Sequence, residues 1–160
     1  MGSRTTSLRI GLVAALAAVV AVVAIGWSGA ASSRAAARHV ATAATVQTRK
    51  VGKLGVILVN SKGRTLYMFV PDHQKKVTCK GSCAIVWPPL KVKKGQKPTA
   101  GGAGKKKLLG TDGRVVTYNR WPLYTYVSDT KAGQATGQDK KQSGGKWYVL
   151  SPSGKVITKK

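Results

Sequence analysis

Two patterns of apolar and polar positions divide the chain. Residues 10–25 form an uninterrupted apolar run of sixteen, IGLVAALAAVVAVVAI, behind a short basic segment with Arg4 and Arg9. The stretch 31–50 is rich in Ala, Thr and Ser with little to bury, and it reads as a flexible tether over 38–51. From Val51 onward the character changes to β-branched and aromatic alternation, punctuated by Gly, Pro, Asn and Asp. Three hairpins follow from turn residues set between alternating runs. GVILVN and RTLYMFV flank Ser61-Lys62-Gly63, RVVTYN and PLYTYV flank Arg120-Trp121, and WYVL and KVIT flank Ser151-Pro152-Ser153-Gly154. No long amphipathic helix is readable beyond the apolar run. The expectation is an all-β, compact antiparallel domain.

The alternating region repeats itself. RTLYMFVPD at 64–72 aligns with WPLYTYVSD at 121–129 at an offset of 57, and Trp87 answers Trp147 at an offset of 60. Each copy reads as a hairpin, an Asp-ended strand, a polar loop and a Trp-led strand. Between them lies KVKKGQKPTAGGAGKKK, residues 91–107, without apolar periodicity and expected as a mobile loop. The domain is therefore predicted over 52–158, with repeat one at 54–92, a basic Gly/Lys loop at 93–107 and repeat two at 108–158, all preceded by an N-terminal signal or anchor helix.

Charge and composition narrow the chemistry. The 160 residues carry 28 Lys and Arg against four acids, for a net charge of +24, and all four acids are Asp. Only His39 and His73 are present, so active centres built on Glu pairs or several His are excluded. Two Cys are too few for a four-Cys zinc module or a disulfide-dense scaffold. The basic start, apolar run and small residues after it have the pattern of an export signal over 1–37. Cleavage is expected after Ala30 or Ala37, with an uncleaved single-span anchor as the rival reading; either way the remainder lies outside the cytoplasm. The first Cys is Cys79, far beyond the apolar run, so attachment through a lipidated Cys is not expected.

The paired elements Tyr67/Phe69/Asp72 and Tyr124/Tyr126/Asp129 resemble the Y-x-[FWY]-x-x-D motif of the secreted-repeat family of bacterial lipoproteins. The likeness extends through CKGSCAIVWPPL at 79–90, LLGT at 108–111, VTYNRWPLYTY at 116–126 and DTKAGQATGQ with GGKWYVLSPSG up to 154. It implies an exported, two-repeat, β-rich envelope protein, with no activity attached. Three departures stand out: the lipidation Cys is absent, Arg120 occupies a turn position where Gly is common, and Asp139 stands where a further Gly is expected.

Individual residues carry competing readings. Cys79 and Cys83 in an exported chain are expected as a structural disulfide, with a redox pair or half of a metal site as alternatives. Asp72 and Asp129 read as carboxylates capping the loops after them, with partners among the basic residues; a repeated cation or ligand site and an acid/base pair are the alternatives. A calcium loop over 129–139 has too few carboxylates at alternating positions. His73 beside Asp72 suggests a Ser-His-Asp set on paper, but no G-x-S-x-G elbow exists. The aromatic residues are expected mainly in the core, with Trp121 at a hairpin tip the best candidate for an exposed platform. Twenty-two Lys and Arg lie beyond Lys50 beside all four Asp, a net +18 there. Such a surface attracts polyanions. The contact is expected at Lys91, Lys93, Lys94, Lys97, Lys105, Lys106 and Lys107, toward an anionic envelope polymer or membrane surface and not a specific nucleic acid. No cofactor, no metal and no catalytic residue is expected.

Overall fold

The computed structural model describes residues 45–73 and 76–159. The expected signal or anchor, its cleavage sites and residues 38–44 of the expected tether lie outside the described residues. Nine strands and one short α-helix, besides three single-turn 3-10 helices, occur among the described residues: β1 (Val46–Val51), β2 (Gly55–Asn60), β3 (Tyr67–Phe69), α1 (Ser82–Val86), β4 (Leu109–Asp112), β5 (Val115–Tyr118), β6 (Trp121–Pro122), β7 (Lys140–Gln142), β8 (Gly145–Leu150) and β9 (Val156–Ile157). Every ladder between named strands is antiparallel. The fold is all-β. No helix among the described residues is long and apolar enough to cross a membrane.

Residues 45–51 are not a tether. β1 pairs along its whole length with β2, from Val46 opposite Asn60 to Val51 opposite Gly55. The reason is Val46, whose side chain is fully buried and anchors the strand in the core. The basic segment is ordered in turn by β1's other edge. The Val46 N–H donates to the Thr99 carbonyl at 3.0 Å, the Gly101 N–H donates to the Val46 carbonyl at 2.9 Å, and the Thr48 hydroxyl accepts from the Ala103 N–H at 3.0 Å. A chain without apolar periodicity still carries backbone donors and acceptors, and an open strand edge satisfies them. The loop expected to be mobile is therefore strapped to the sheet.

The hairpins form at their turns and then diverge. Gly63, at φ +75°, closes the first turn, and the Leu66 N–H donates to the Leu58 carbonyl at 3.0 Å. Beyond that point β3 leaves β2 and pairs with β8, Tyr67 opposite Val149 and Phe69 opposite Trp147. Repeat two does the same in mirror. The Leu123 N–H donates to Val116 at 2.9 Å, after which Tyr124 bridges to Pro89 and Thr125 donates to the Pro88 carbonyl at 2.9 Å. Each motif strand thus pairs with the Trp-led strand of the other repeat. Where the two motif strands meet, Tyr67 and Tyr124 exchange N–H···O bonds of 2.8 and 2.9 Å, so the local two-fold passes between them. The turn expected at Arg120-Trp121 lies one residue earlier: Tyr118 pairs with Trp121, leaving Asn119 and Arg120 as the two loop residues, both at positive φ.

Because side chains alternate along a strand, the motif strands bury both faces. Leu66, Met68 and Leu123 enter a cluster with Val46, Leu58 and Val116. Tyr67, Phe69, Tyr124 and Tyr126 enter the other, with Trp87 and Trp147. In that second cluster the two Trp rings stack at 3.9 Å and 2°, Phe69 stacks on Trp147 and Tyr126 on Trp87 at 4.2 Å each, and Tyr67 and Tyr124 meet the indoles edge-on at 5.4 and 5.3 Å. The repeat is a symmetric aromatic core, with ring geometries that favour packing beyond area burial alone.

Candidate functional site

The motif residues were the first candidates, and the structure turns them inward. Asp72 and Asp129 are 0% and 1% exposed. The Tyr124 hydroxyl donates to Asp72 Oδ2 at 2.5 Å, and the Tyr67 hydroxyl donates to Asp129 Oδ2 at 2.6 Å. The other oxygen of each carboxylate accepts from the loop that follows it. Asp72 Oδ1 takes the Thr78 N–H and hydroxyl at 2.8 and 2.6 Å, and Asp129 Oδ1 takes those of Thr136 at 2.9 and 2.6 Å. A tyrosine of one repeat therefore holds the aspartate of the other. Burial first, and then the hydrogen bond to its carboxylate partner, pushes each phenol far above its ordinary pKa.

Basic partners for these carboxylates, expected from the abundance of Lys and Arg, are not what the fold provides. Arg64 reaches the Asp129 main-chain carbonyl instead of its carboxylate. With each carboxylate oxygen engaged by a hydroxyl or amide of the protein, an entering cation has to displace internal donors. The 129–139 loop does not converge its two carboxylates either: Asp129 is buried, while Asp139 binds Lys146 Nζ at 2.6 Å. His73 is exposed and the Asp72 carboxylate points away into the core, so the two do not form an acid/base couple.

Cys79 and Cys83 are joined by a disulfide with Cα atoms 5.3 Å apart. Cys79 is buried in the aromatic cluster, and the Cys83 carbonyl accepts from the Trp87 N–H at 2.8 Å. The bridge fixes the turn into α1, a single helical turn the alternation pattern gave no sign of, which delivers Trp87 to its stack. Thr78, Thr136 and Gln142 were not singled out from sequence. Gln142 receives both indole N–H groups, Trp87 at its side-chain oxygen (3.1 Å) and Trp147 at its carbonyl (3.0 Å). The recurrence of a Thr six or seven residues after each motif Asp was the available signal for the first two.

The outward-facing chemistry lies elsewhere. Lys91, Lys93, Lys94, Lys97, Lys105, Lys106 and Lys107 are all exposed on the strapped segment. The structure does not bring them to one place. Lys97 and Lys106 line a concavity of about 320 Å³ against β4, with Pro98, Leu109 and Thr111. Lys107 lines the next, of about 140 Å³, with Gly110, Thr117 and Arg120. Lys91 bridges to Val115 on the far side of β5, and Lys93 and Lys94 lead into the turn closed at Gln96. Trp121 is half-buried against the aliphatic cluster and presents its remaining surface to a third concavity, of about 240 Å³, with His73, Asn119 and Arg120.

Comparison with known families matches residues 48–91 and 108–151, more than half of the chain, to a family described as a secreted repeat of unknown function. The first matched segment starts inside β1, six residues before the repeat boundary expected from sequence, and the basic segment lies between the two matches. No curated protein and no solved structure matches the chain.

Proposed function

The chain belongs to this family of secreted repeats, Lipoprotein_15, and on that premise we propose that it is an exported, non-enzymatic protein of the cell envelope that holds anionic envelope polymers through its basic surface. Export accords with the family description. The observation that carries the binding reading is the ordered basic segment: seven exposed lysines between residues 91 and 107, without a single carboxylate among them. The four Asp do little to offset that field. Two are buried on tyrosines, one accepts the Val77 N–H and one is bridged to Lys146. The motif residues most suited to chemistry are spent on the core, which supports a binding role over catalysis.

Sedimentation of the purified protein with isolated cell wall, across a series of salt concentrations, tests this. Binding through surface lysines weakens steeply with salt, because each neutralised anion releases a counterion. Salt-independent binding, or none at low salt, overturns the proposal.

A further inference from the structure

Two concavities along β4 and a third beside the β5–β6 turn are links of one surface. The first and second share Leu109 and Gly110, and the second and third share Asn119 and Arg120. Together they make a trough that starts at Lys97, crosses β4 at Gly110 and ends at Trp121. β4 is the outer strand of its three-stranded sheet, and Gln96, Lys97, Pro98 and Lys106 of the basic segment line the trough beside it. Exposed cations stand along it at Lys97, Lys106, Lys107 and Arg120, the hydroxyls of Thr111 and Thr117 lie between them, and no Asp lines any of the three concavities. Gly110 keeps the crossing open: a Cβ there would stand 2.9 Å from Thr117 Oγ1.

The geometry points to this trough as the seat of a linear polyol-phosphate chain, a deepening that rests on the envelope-polymer reading above. The recurring single charges of a phosphodiester chain complement cations spaced along a channel, whereas a compact anion would use only one of them. Lys91, Lys93 and Lys94, equally exposed and on the same segment, stand outside the trough and contribute only to the general field.

Two variants of equal charge separate a defined seat from diffuse attraction. K97Q/K106Q/K107Q and K91Q/K93Q/K94Q each remove three positive charges from exposed side chains, and circular dichroism confirms that both remain folded. Binding to purified poly(glycerol phosphate) is measured by calorimetry at several salt concentrations. For the trough variant, affinity at low salt falls at least tenfold, and the log–log salt slope drops by about 2 units, the loss of three contacts at roughly 0.7 each for a single chain. The other variant keeps its affinity within about twofold and its slope nearly intact. Equal losses in both variants overturn the trough while leaving electrostatic polymer binding in place. A wild-type protein that does not bind the polymer, or binds it without regard to salt, overturns both.

Discussion

The tyrosine–aspartate pairs show what one hydroxyl does in a buried setting. A hydrogen bond to an ionised group contributes about 1.5–3 kcal/mol, and a buried carboxylate that loses a donor regains no water in exchange. Tyr67→Phe and Tyr124→Phe should each destabilise the domain by about 2 kcal/mol in urea unfolding, with the aromatic core otherwise unchanged. The same pairs set the alkaline limit. Both phenols are raised above the ordinary value of 10.0, so the folded state keeps protons that the unfolded chain releases. Their contribution is complete below about pH 10 and is lost as pH rises above it. Stability measured from pH 8 to 11 should decline more steeply in the wild type than in the double Phe variant; parallel curves would remove the phenols from the account. Gly137 and Gly145 both lie hard against this core. A Cβ on Gly137 would lie 2.6 Å from the Trp87 ring, held in its stack, and 3.0 Å from the Tyr67 ring, held edge-on against it. Gly137→Ala is therefore expected to cost about 1–3 kcal/mol through overpacking.

At the level of elements, two short devices hold the strands in place, and one of them is under strain. The β5–β6 turn puts Asn119 at φ 47° and Arg120 at φ 72°, a backbone that suits glycine at the second position. Asn119 tolerates the conformation and secures it by donating to the Gly154 carbonyl at 2.9 Å. Arg120 has no such backbone preference. Arg120→Gly should relieve the left-handed strain of a non-glycine residue, a gain offset by the greater entropy of the unfolded glycine and by loss of the Arg120 side chain's own interaction. The same change should weaken polymer binding, since Arg120 lines the trough. Unchanged affinity in that variant would contradict the assignment. Asp139, at φ 57°, occupies the other position where a glycine was expected, and its bridge to Lys146 secures a backbone that glycine adopts more readily. The disulfide is the second device. Closing so short a loop contributes about 2 kcal/mol by chain entropy. Replacing both Cys79 and Cys83 with Ser should lower stability by that order and loosen the Trp87 stack, read as a loss of near-ultraviolet circular dichroism.

Across the whole molecule the exchange of strands between repeats makes neither repeat a folding unit. β3 completes its ladder only with β8, and the Tyr124 strand only with the segment after α1. Fragments 45–92 and 108–159 are each expected to be unfolded alone and to recover native fluorescence and circular dichroism when mixed, since the covalent link between them is the strapped basic segment and not a core strand. Cooperative folding of either fragment by itself would show that the exchange is dispensable. The alternating pattern, the duplicated motif, the turn at Gly63 and the turn at Ser151–Gly154 were all legible in the sequence, because side-chain alternation and glycine-dependent turns are local properties. So was the outward placement of the seven lysines, which no core accepts. Local pattern is silent on pairing partners. Backbone ladders carry no residue code, and with two related repeats a motif strand finds a Trp-led strand in its own copy as well as in the other. Only the tertiary structure decided that Tyr67 serves Asp129 and Tyr124 serves Asp72, because the partner that buries both faces of a motif strand at once is the opposite repeat. It likewise decided that Val46 recruits the presumed tether, that β1's edge straps the basic segment, and that three of the seven lysines share a trough with Arg120. Those outcomes depend on where distant backbone edges and side chains come to rest after burial, and no window along the chain contains that information.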